Sequence, residues 1–292
     1  MTGVPMAGKV RDFASLVKLS HSVFALPFAL LALLVATAGA PGWRTLTLVV
    51  GAVVTARTAA MAYNRYADRE LDRANPRTAG REIPRGAVTP AAALGLVGVA
   101  SAAFLLCCWW LAPVCFWLGI PTLAWLLGYS HAKRFSWLCH LWLGVALGLA
   151  PVAASVAGTG GFGPATWPAV VLGLGVMAWV GGFDVLYACQ DEAYDRQVGL
   201  QSIPARFGAR AAMWISRGLH AAATAGFVAF AWLAGLGGAF AAGIVLSVLL
   251  LVWQHRLLRP DDLTRIDMAF FTANGTLAVV MFAAGCVDLY LW

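Results

Sequence analysis

Long apolar runs alternate with short polar loops along the whole chain. A transmembrane helix needs about 20 mostly apolar residues, and nine runs meet or approach that length. Pro113 divides one long apolar stretch and Gly235 to Gly238 divide another, because proline and glycine clusters end helices. The pattern therefore predicts nine transmembrane helices, roughly at residues 13–38, 46–66, 91–111, 114–129, 138–157, 167–189, 211–234, 240–257 and 268–291.

Composition supports this interpretation. Hydrophobic residues make up 61% of the 292 residues and charged residues 11%, whereas soluble domains carry about 25% charged residues. The mean hydropathy is +0.78. No separate soluble segment interrupts the runs, so residues 1–292 are interpreted as one all-α domain in the lipid bilayer. The six cysteines form no CxxC pair and are interpreted as buried hydrophobes.

The positive charge becomes informative once it is placed in the topology. The net charge is +7, which in a soluble protein suggests nucleic acid. Here the basic residues cluster in alternate loops: Arg44 alone falls in a loop on the opposite side, and Arg57 lies inside the second span. By the positive-inside rule, the N-terminus and these basic loops are expected in the cytoplasm of a bacterial-type inner membrane. No nucleic-acid partner is predicted, and the basic residues ahead of the first run do not resemble a cleavable signal.

The second span ends in a polar motif with four-residue spacing. On a helix, Asn64, Asp68 and Asp72 would share one face. Three oxygen-bearing side chains arranged this way suit a hard cation such as Mg²⁺. Charged helix ends are common, but acids contribute little to membrane orientation, so topology does not explain this set.

The sixth span ends in a second acidic motif. If the helix continued, Asp184, Asp191 and Asp195 would fall within about 40° of each other, with Tyr187 close to the same stripe. Asp184 is about two turns inside the apolar run, where an ionisable residue is usually functional or paired. Either a substrate role or a structural pair with a buried arginine fits this position.

Several basic residues accompany the acidic motifs. Acidic clusters in a low-dielectric site need cations, and divalent metal ions carrying a diphosphate would supply them. Arg57 shares the face of Asn64 two turns deeper, where it either pairs with Asp184 or binds a carboxylate on the substrate. His21 and His140 flank spans and are interpreted as structural. The expected basic lid consists of Arg73, Arg77, Arg81, Arg85, Lys133 and Arg134.

Taken together, these motifs resemble the UbiA superfamily of intramembrane aromatic prenyltransferases over essentially the whole chain. The resemblance implies nine helices around a central cavity open to the cytoplasmic side, two Mg²⁺ ions, and transfer of a polyprenyl group from polyprenyl diphosphate to an aromatic ring. Residues 21–28 and 75–81 resemble the 4-hydroxybenzoate polyprenyltransferase branch. The matching motifs are NxxxDxxxD at Asn64, Asp68 and Asp72, the arginines Arg77 and Arg81, YxxxK at Tyr129 and Lys133, and the second aspartate motif from Asp184 through Tyr187 and Asp191 to Asp195.

The expected roles follow from that resemblance and from the chemistry of the side chains. Asp68, Asp72, Asp191 and Asp195 are expected to be catalytic and, with Asn64, to bind metal. Arg77, Arg81, Tyr129 and Lys133 are expected to bind diphosphate, and Arg57, Asp184 and Tyr187 the acceptor. The acceptor is an aromatic carboxylate used in ubiquinone or menaquinone synthesis, either 4-hydroxybenzoate or a dihydroxynaphthoate. An intramembrane ion-coupled transporter is the alternative from another class, although it leaves the arginines without a purpose.

Overall fold

A computed structural model describes residues 12–13, 15–16 and 24–291. Within these residues the chain is helical, and the β-structure is a single bridge between Arg259 and Asp262. The expectations for His21 and for most of residues 13–23 lie outside the described residues. The α-helices are α1 (Leu26–Ala36), α2 (Trp43–Ala67), α3 (Arg69–Ala74), α4 (Pro90–Leu111), α5 (Pro113–Ala132), α6 (Cys139–Thr159), α7 (Thr166–Ala188), α8 (Glu192–Gln197), α9 (Ile203–Ala234), α10 (Gly238–Leu257) and α11 (Asn274–Leu291).

Seven helical segments of the described chain are long and apolar enough to cross a membrane. They begin at Trp43, Pro90, Pro113, Cys139, Thr166, Gly238 and Met268. The predicted spans at 13–38 and 211–234 are not among them. In the described chain α1 has 11 residues. Gly208, near the start of α9, has a non-helical φ of 83°, but it lies outside the predicted span at 211–234. The all-helical membrane bundle is confirmed, and the count of nine spans stays a prediction.

Helix breaks occur where proline and glycine predicted them. α4 ends at Leu111, and α5 begins at Pro113, whose fixed φ suits the first turn of a helix. α9 ends at Ala234, and Gly235 after it has a φ of 66° and so adopts the left-handed conformation that glycine tolerates best. The expected burial of the cysteines is confirmed for four of the six free thiols, whereas Cys107 and Cys286 are only partly buried.

Glycines allow α6, α7 and α9 to pack closely. A Cβ on Gly148 of α6 would lie 2.5 Å from the carbonyl oxygen of Gly173 on α7, and one on Gly226 of α9 would lie 2.8 Å from the Cα of Gly175. Helices in lipid have no hydrophobic driving force for association, so close packing at small residues stabilises such crossings instead. Trp179 is fully buried at the centre of this half of the bundle. The tight packing fixes α7, which carries the second acidic motif.

Candidate active site

Both acidic motifs lie where a long helix gives way to a short one. α2 ends at Ala67, and Asp68 leaves helical geometry (φ −97°, ψ 6°) before α3 begins. Backbone hydrogen bonds still link the motif, from Asp68 to Asn64 at 3.0 Å and from Asp72 to Asp68 at 2.7 Å. After Ala188, α7 gives way to a 3₁₀ turn at Cys189–Asp191 and then to α8. The helical geometry from which the shared face of each motif was predicted is therefore interrupted within the motif.

The two motifs nevertheless line one polar cavity. Its volume is about 200 Å³. It collects every predicted site residue except Arg57, so residues more than 100 positions apart meet in one site. The predicted residues at its wall are Asn64, Asp68, Asp72, Arg77, Arg81, Tyr129, Lys133, Asp184, Tyr187, Asp191 and Asp195.

Four aspartates of the cavity each contact a cationic side chain. Asp72, Asp191 and Asp195 are buried, so each such contact offsets the cost of removing a charge from water. Two of these cationic side chains, Arg77 and Arg81, come from the loop after α3 and were predicted to bind diphosphate. The closest contacts are Arg81 Nη1 to Asp72 Oδ1 at 2.6 Å, Arg77 Nη2 to Asp191 Oδ2 at 2.5 Å, Lys133 Nζ to Asp195 Oδ2 at 2.9 Å and Arg134 Nη2 to Asp68 Oδ1 at 2.9 Å.

The expected row of arginines divides into two groups. Arg77 and Arg81 enter the cavity, whereas Arg73 contacts Glu70 and Arg85 contacts Asp12 at exposed positions. The four-residue spacing does not give one face because the helix ends at Ala74 and residues 75–89 form turns. Four of the six residues expected to form a basic lid therefore line the cavity (Arg77, Arg81, Lys133 and Arg134), whereas Arg73 and Arg85 belong to the solvated surface.

Electrostatics act in opposite directions on the charges of Lys133 and Asp68. Burial opposes the charge on Lys133, but Asp195 outweighs it and raises the pKa of that ammonium group. Burial also raises the pKa of the Asp68 carboxyl to about 6, against the opposing effect of Arg134. Asp68 therefore holds its charge less firmly than an exposed aspartate does.

The acids do not yet form a closed metal site. Among the described residues, no three His, Cys, Asp or Glu side chains are grouped closely enough to hold a metal ion. One feature does fit a cation: Asp72 Oδ2 is buried and accepts no hydrogen bond. Carboxylate and amide oxygens are also the donors that Mg²⁺ prefers.

Several polar residues that line the cavity or contact its aspartates were missed or misread in the sequence. Asn75 donates to Asp191 at 3.0 Å, and Ser202 donates to Asp195 at 2.9 Å. His140, interpreted as structural, contacts Asp184 at 2.7 Å. Asn75 follows the first motif and precedes a proline, which marks a turn, but sequence spacing carries no signal for the other two contacts.

A second, apolar cavity joins the polar one. Its volume is about 470 Å³, and Val49, Leu111 and Cys115 lie at its distal end. Along α2 it runs from Asn64 to Val49, about 22 Å at 1.5 Å per residue. The two cavities share Asn64, Arg81, Tyr129, Asp184 and Tyr187 at their boundary.

Arg57 lies in the wall of the apolar cavity. Its Nε is buried and has no hydrogen-bond partner, and no carboxylate of the described residues lies within salt-bridge distance of its side chain. Asp184 contacts His140 instead. Of the two predicted roles of Arg57, the structural pair with Asp184 is therefore not formed. A buried guanidinium without an anion is costly, so the site favours an anionic ligand.

The fold and the two joined cavities define a membrane-embedded enzyme for a substrate with a charged end and a long apolar chain. The sequence model of the UbiA prenyltransferase family matches residues 25–276. The chain therefore belongs to the UbiA prenyltransferase family, and it is an integral membrane prenyltransferase, as the motifs indicated.

Similar proteins are consistent with this assignment. A 4-hydroxybenzoate octaprenyltransferase of Paracidovorax citrulli is 32% identical over 86% of this chain and 84% of its own. One of Alkalilimnicola ehrlichii is 28% identical over 100% and 99%. The apo structure of a UbiA homologue from Aeropyrum pernix K1 has a TM-score of 0.84 at 34% identity, covering 92% of this chain and 98% of that one. A UbiA homologue from Archaeoglobus fulgidus, bound to GPP and Mg²⁺, shares the fold with a TM-score of 0.73 at 16% identity over 95% and 99%.

Proposed function

We propose that this protein transfers a polyprenyl group from polyprenyl diphosphate to an aromatic carboxylate, releasing diphosphate, in respiratory quinone synthesis. The acceptor is 4-hydroxybenzoate, the compound in the names of its relatives. One observation carries the proposal: a polar cavity lined by acids and bases opens into an apolar cavity whose wall holds the unpaired Arg57. A diphosphate, a prenyl chain and a carboxylate account for these three features.

The diphosphate end belongs in the polar cavity. Arg77, Arg81 and Lys133 would exchange a carboxylate for phosphate oxygens, with Tyr129 beside them at the cavity boundary. This exchange would free the aspartates, with Asn64, to hold metal. Mg²⁺, bound with GPP in the Archaeoglobus homologue, would neutralise the leaving diphosphate. We propose two such ions, held by Asn64, Asp68, Asp72, Asp191 and Asp195.

Leaving-group stabilisation lets the allylic C–O bond ionise. The apolar cavity then protects the carbocation from water, because its wall offers few polar atoms. The acceptor ring lies between the two cavities, near Asp184 and Tyr187, and its carboxylate meets Arg57. A dihydroxynaphthoate also carries a carboxylate and is the alternative acceptor.

The remaining proposals concern the membrane. We place the protein in the bacterial inner membrane with nine spans, and with the N-terminus and the polar cavity on the cytoplasmic side. This orientation follows from the basic loops and gives the cavity access to Mg²⁺ and to water-soluble acceptors.

The experiment is a prenyl-transfer assay of membranes containing the protein. Polyprenyl diphosphates of several lengths are each offered with 4-hydroxybenzoate or 1,4-dihydroxy-2-naphthoate, with Mg²⁺ or with EDTA. We expect a prenylated product and stoichiometric diphosphate, both abolished by EDTA. Asp191→Asn should remove both, while the matched control Glu192→Gln, which changes a partly exposed acid one position away, should retain both.

Two results would count against the proposal. Absence of product with every donor and acceptor, from protein that is folded in detergent, contradicts the enzyme reading and favours the transporter alternative. Wild-type turnover by Asp191→Asn contradicts the metal assignment alone. Formation of product from the naphthoate but not from the benzoate would identify the naphthoate as the acceptor. The proposed type of reaction would still stand.

A further inference from the structure

A buried histidine touches the acid at the boundary of the two cavities. His140, on α6, is 1% exposed, and its Nδ1 lies 2.7 Å from Oδ2 of Asp184 on α7. Asp184 lines both the polar and the apolar cavity. In the proposed function, this boundary is where the acceptor ring meets the allylic end of the prenyl chain.

The backbone fixes the tautomer of His140. The N–H of Ile203, at the start of α9, donates to His140 Nε2 over 3.3 Å. An imidazole nitrogen that accepts a hydrogen bond carries no proton, so the ring proton is assigned to Nδ1 and points at Asp184. His140 therefore donates a hydrogen bond from Nδ1 to Oδ2 of Asp184.

Asp184 differs from the other acids of the cavity. Asp191 accepts two hydrogen bonds from Arg77 and one from Asn75. A carboxylate held by several donors, one of them cationic, binds a proton weakly. Asp68, Asp72 and Asp195 also contact arginine or lysine, and, like Asp191, they line the polar cavity but not the apolar one, whereas Asp184 lines both. Within the described residues, the side chain of Asp184 contacts the His140 imidazole, and no arginine or lysine pairs with it.

Resting on the proposed function, we propose that Asp184 removes the ring proton of the acceptor and that His140 is the residue that positions it. The allylic C–O bond breaks and its electron pair leaves with diphosphate. A ring π pair then forms the new C–C bond. The C–H bond at the same ring carbon breaks, its electron pair restores aromaticity, and the proton goes to an Asp184 carboxylate oxygen and then to water in the polar cavity. His140 keeps its Nδ1 proton throughout.

The test compares two substitutions of His140 in membrane-embedded protein. His140→Leu removes the donor, while His140→Asn keeps an N–H close to the position of Nδ1. Turnover is measured with 4-hydroxybenzoate and with the same acid deuterated on the ring carbons next to the hydroxyl. We expect kcat to fall about 10- to 100-fold in His140→Leu, as for loss of an effective general base, with a larger deuterium isotope effect than in wild type. His140→Asn should recover most of kcat and the wild-type isotope effect.

Asp184→Asn provides a second, nearly isosteric test in case His140→Leu does not fold. It should show the same slow, isotope-sensitive turnover. A wild-type isotope effect in folded His140→Leu or Asp184→Asn overturns the inference, because another group, such as the departing diphosphate, would then take the proton. Equal losses in the Leu and Asn variants without a change in isotope effect also overturn it. Lack of any product from wild type would instead overturn the proposed function.

Discussion

Arg77 and Asp191 lie 114 positions apart and are joined by two hydrogen bonds, from Nε at 2.9 Å and from Nη2 at 2.5 Å. The planar guanidinium matches both oxygens of the carboxylate. Asn75 donates to Asp191 as well. The loop after the first motif is thereby tied to the end of the second, and this contact brings the two halves of the polar cavity together.

Replacing Arg77 should disable the donor site. In Arg77→Met, kcat/KM for polyprenyl diphosphate should fall at least about 100-fold, because the phosphate oxygens lose a charged two-pronged donor and Asp191 is left buried without a cation. Arg77→Lys should recover only part of this loss, since lysine cannot form the paired contact. Arg73→Met is the matched control: Arg73 contacts only Glu70, at an exposed position, and activity should stay within about twofold. Equal losses at both positions would contradict the division of the arginine row.

Arg57 should determine the affinity for the acceptor. In Arg57→Met, we expect the KM for 4-hydroxybenzoate to rise about 10- to 100-fold, as for loss of a buried charged hydrogen bond, with little change for the prenyl donor. The methyl ester of the acceptor should be a poor substrate for the wild type, and Arg57→Met should no longer distinguish it from the acid. Arg44→Met, at the far end of the same helix, is the control. A preference for the acid that persists in Arg57→Met would assign the carboxylate to another residue.

The length of the apolar cavity should set the prenyl chain length beyond which kcat/KM for the donor no longer rises. Its length of about 22 Å along α2 holds about four to five isoprene units, since four bonds of about 1.5 Å span about 5 Å in each extended unit. We expect kcat/KM to rise with each unit up to that number and then level off. Val53→Trp, in the cavity wall, should move the plateau to shorter chains. Val99→Trp, on an exposed face of α4, should not, and an unchanged plateau in Val53→Trp would contradict the placement of the chain.

Asp288 should contribute to stability without taking part in the reaction. Its carboxylate accepts hydrogen bonds from the backbone N–H groups of Gly237, Ala239 and Phe240, at 2.8, 3.1 and 2.8 Å. It thus caps α10 from a neighbouring helix. Asp288→Ala should lower the free energy of unfolding by about 1–2 kcal/mol, seen as a lower melting temperature in detergent, with kcat of the folded protein unchanged. Asp261→Ala, at an exposed position, should leave the melting temperature unaltered. Equal melting temperatures for the two variants would contradict the capping role.

Much of this protein could be predicted from particular residues. The breaks at Pro113 and at Gly235 follow from backbone geometry that any sequence must obey. The acids at Asp68 and Asp191 stood out because charge is costly beside an apolar run. Their meeting in one cavity required only that the ends of two helices approach each other, and family membership was already evident from the motifs.

The partners of those residues could not be predicted in the same way. His140 contacts Asp184 because Gly144 and Gly148 let α6 approach α7 closely, where larger side chains would collide with backbone. Arg77 enters the cavity while Arg73 does not because the helix ends at Ala74. Neither contact could be predicted from a periodic pattern in the sequence.

The sequence by itself determined that the chain is a helical membrane protein and which residues supply acidic and basic chemistry. Hydropathy and charge are properties of each residue, so their pattern can be determined from the sequence alone. Only the tertiary structure decided which base each acid contacts, that Arg57 has no salt-bridge partner among the described residues, and that Asp184 faces an imidazole. These contacts depend on turn geometry and on helix packing between residues far apart in sequence, where a shift of one residue gives a different partner.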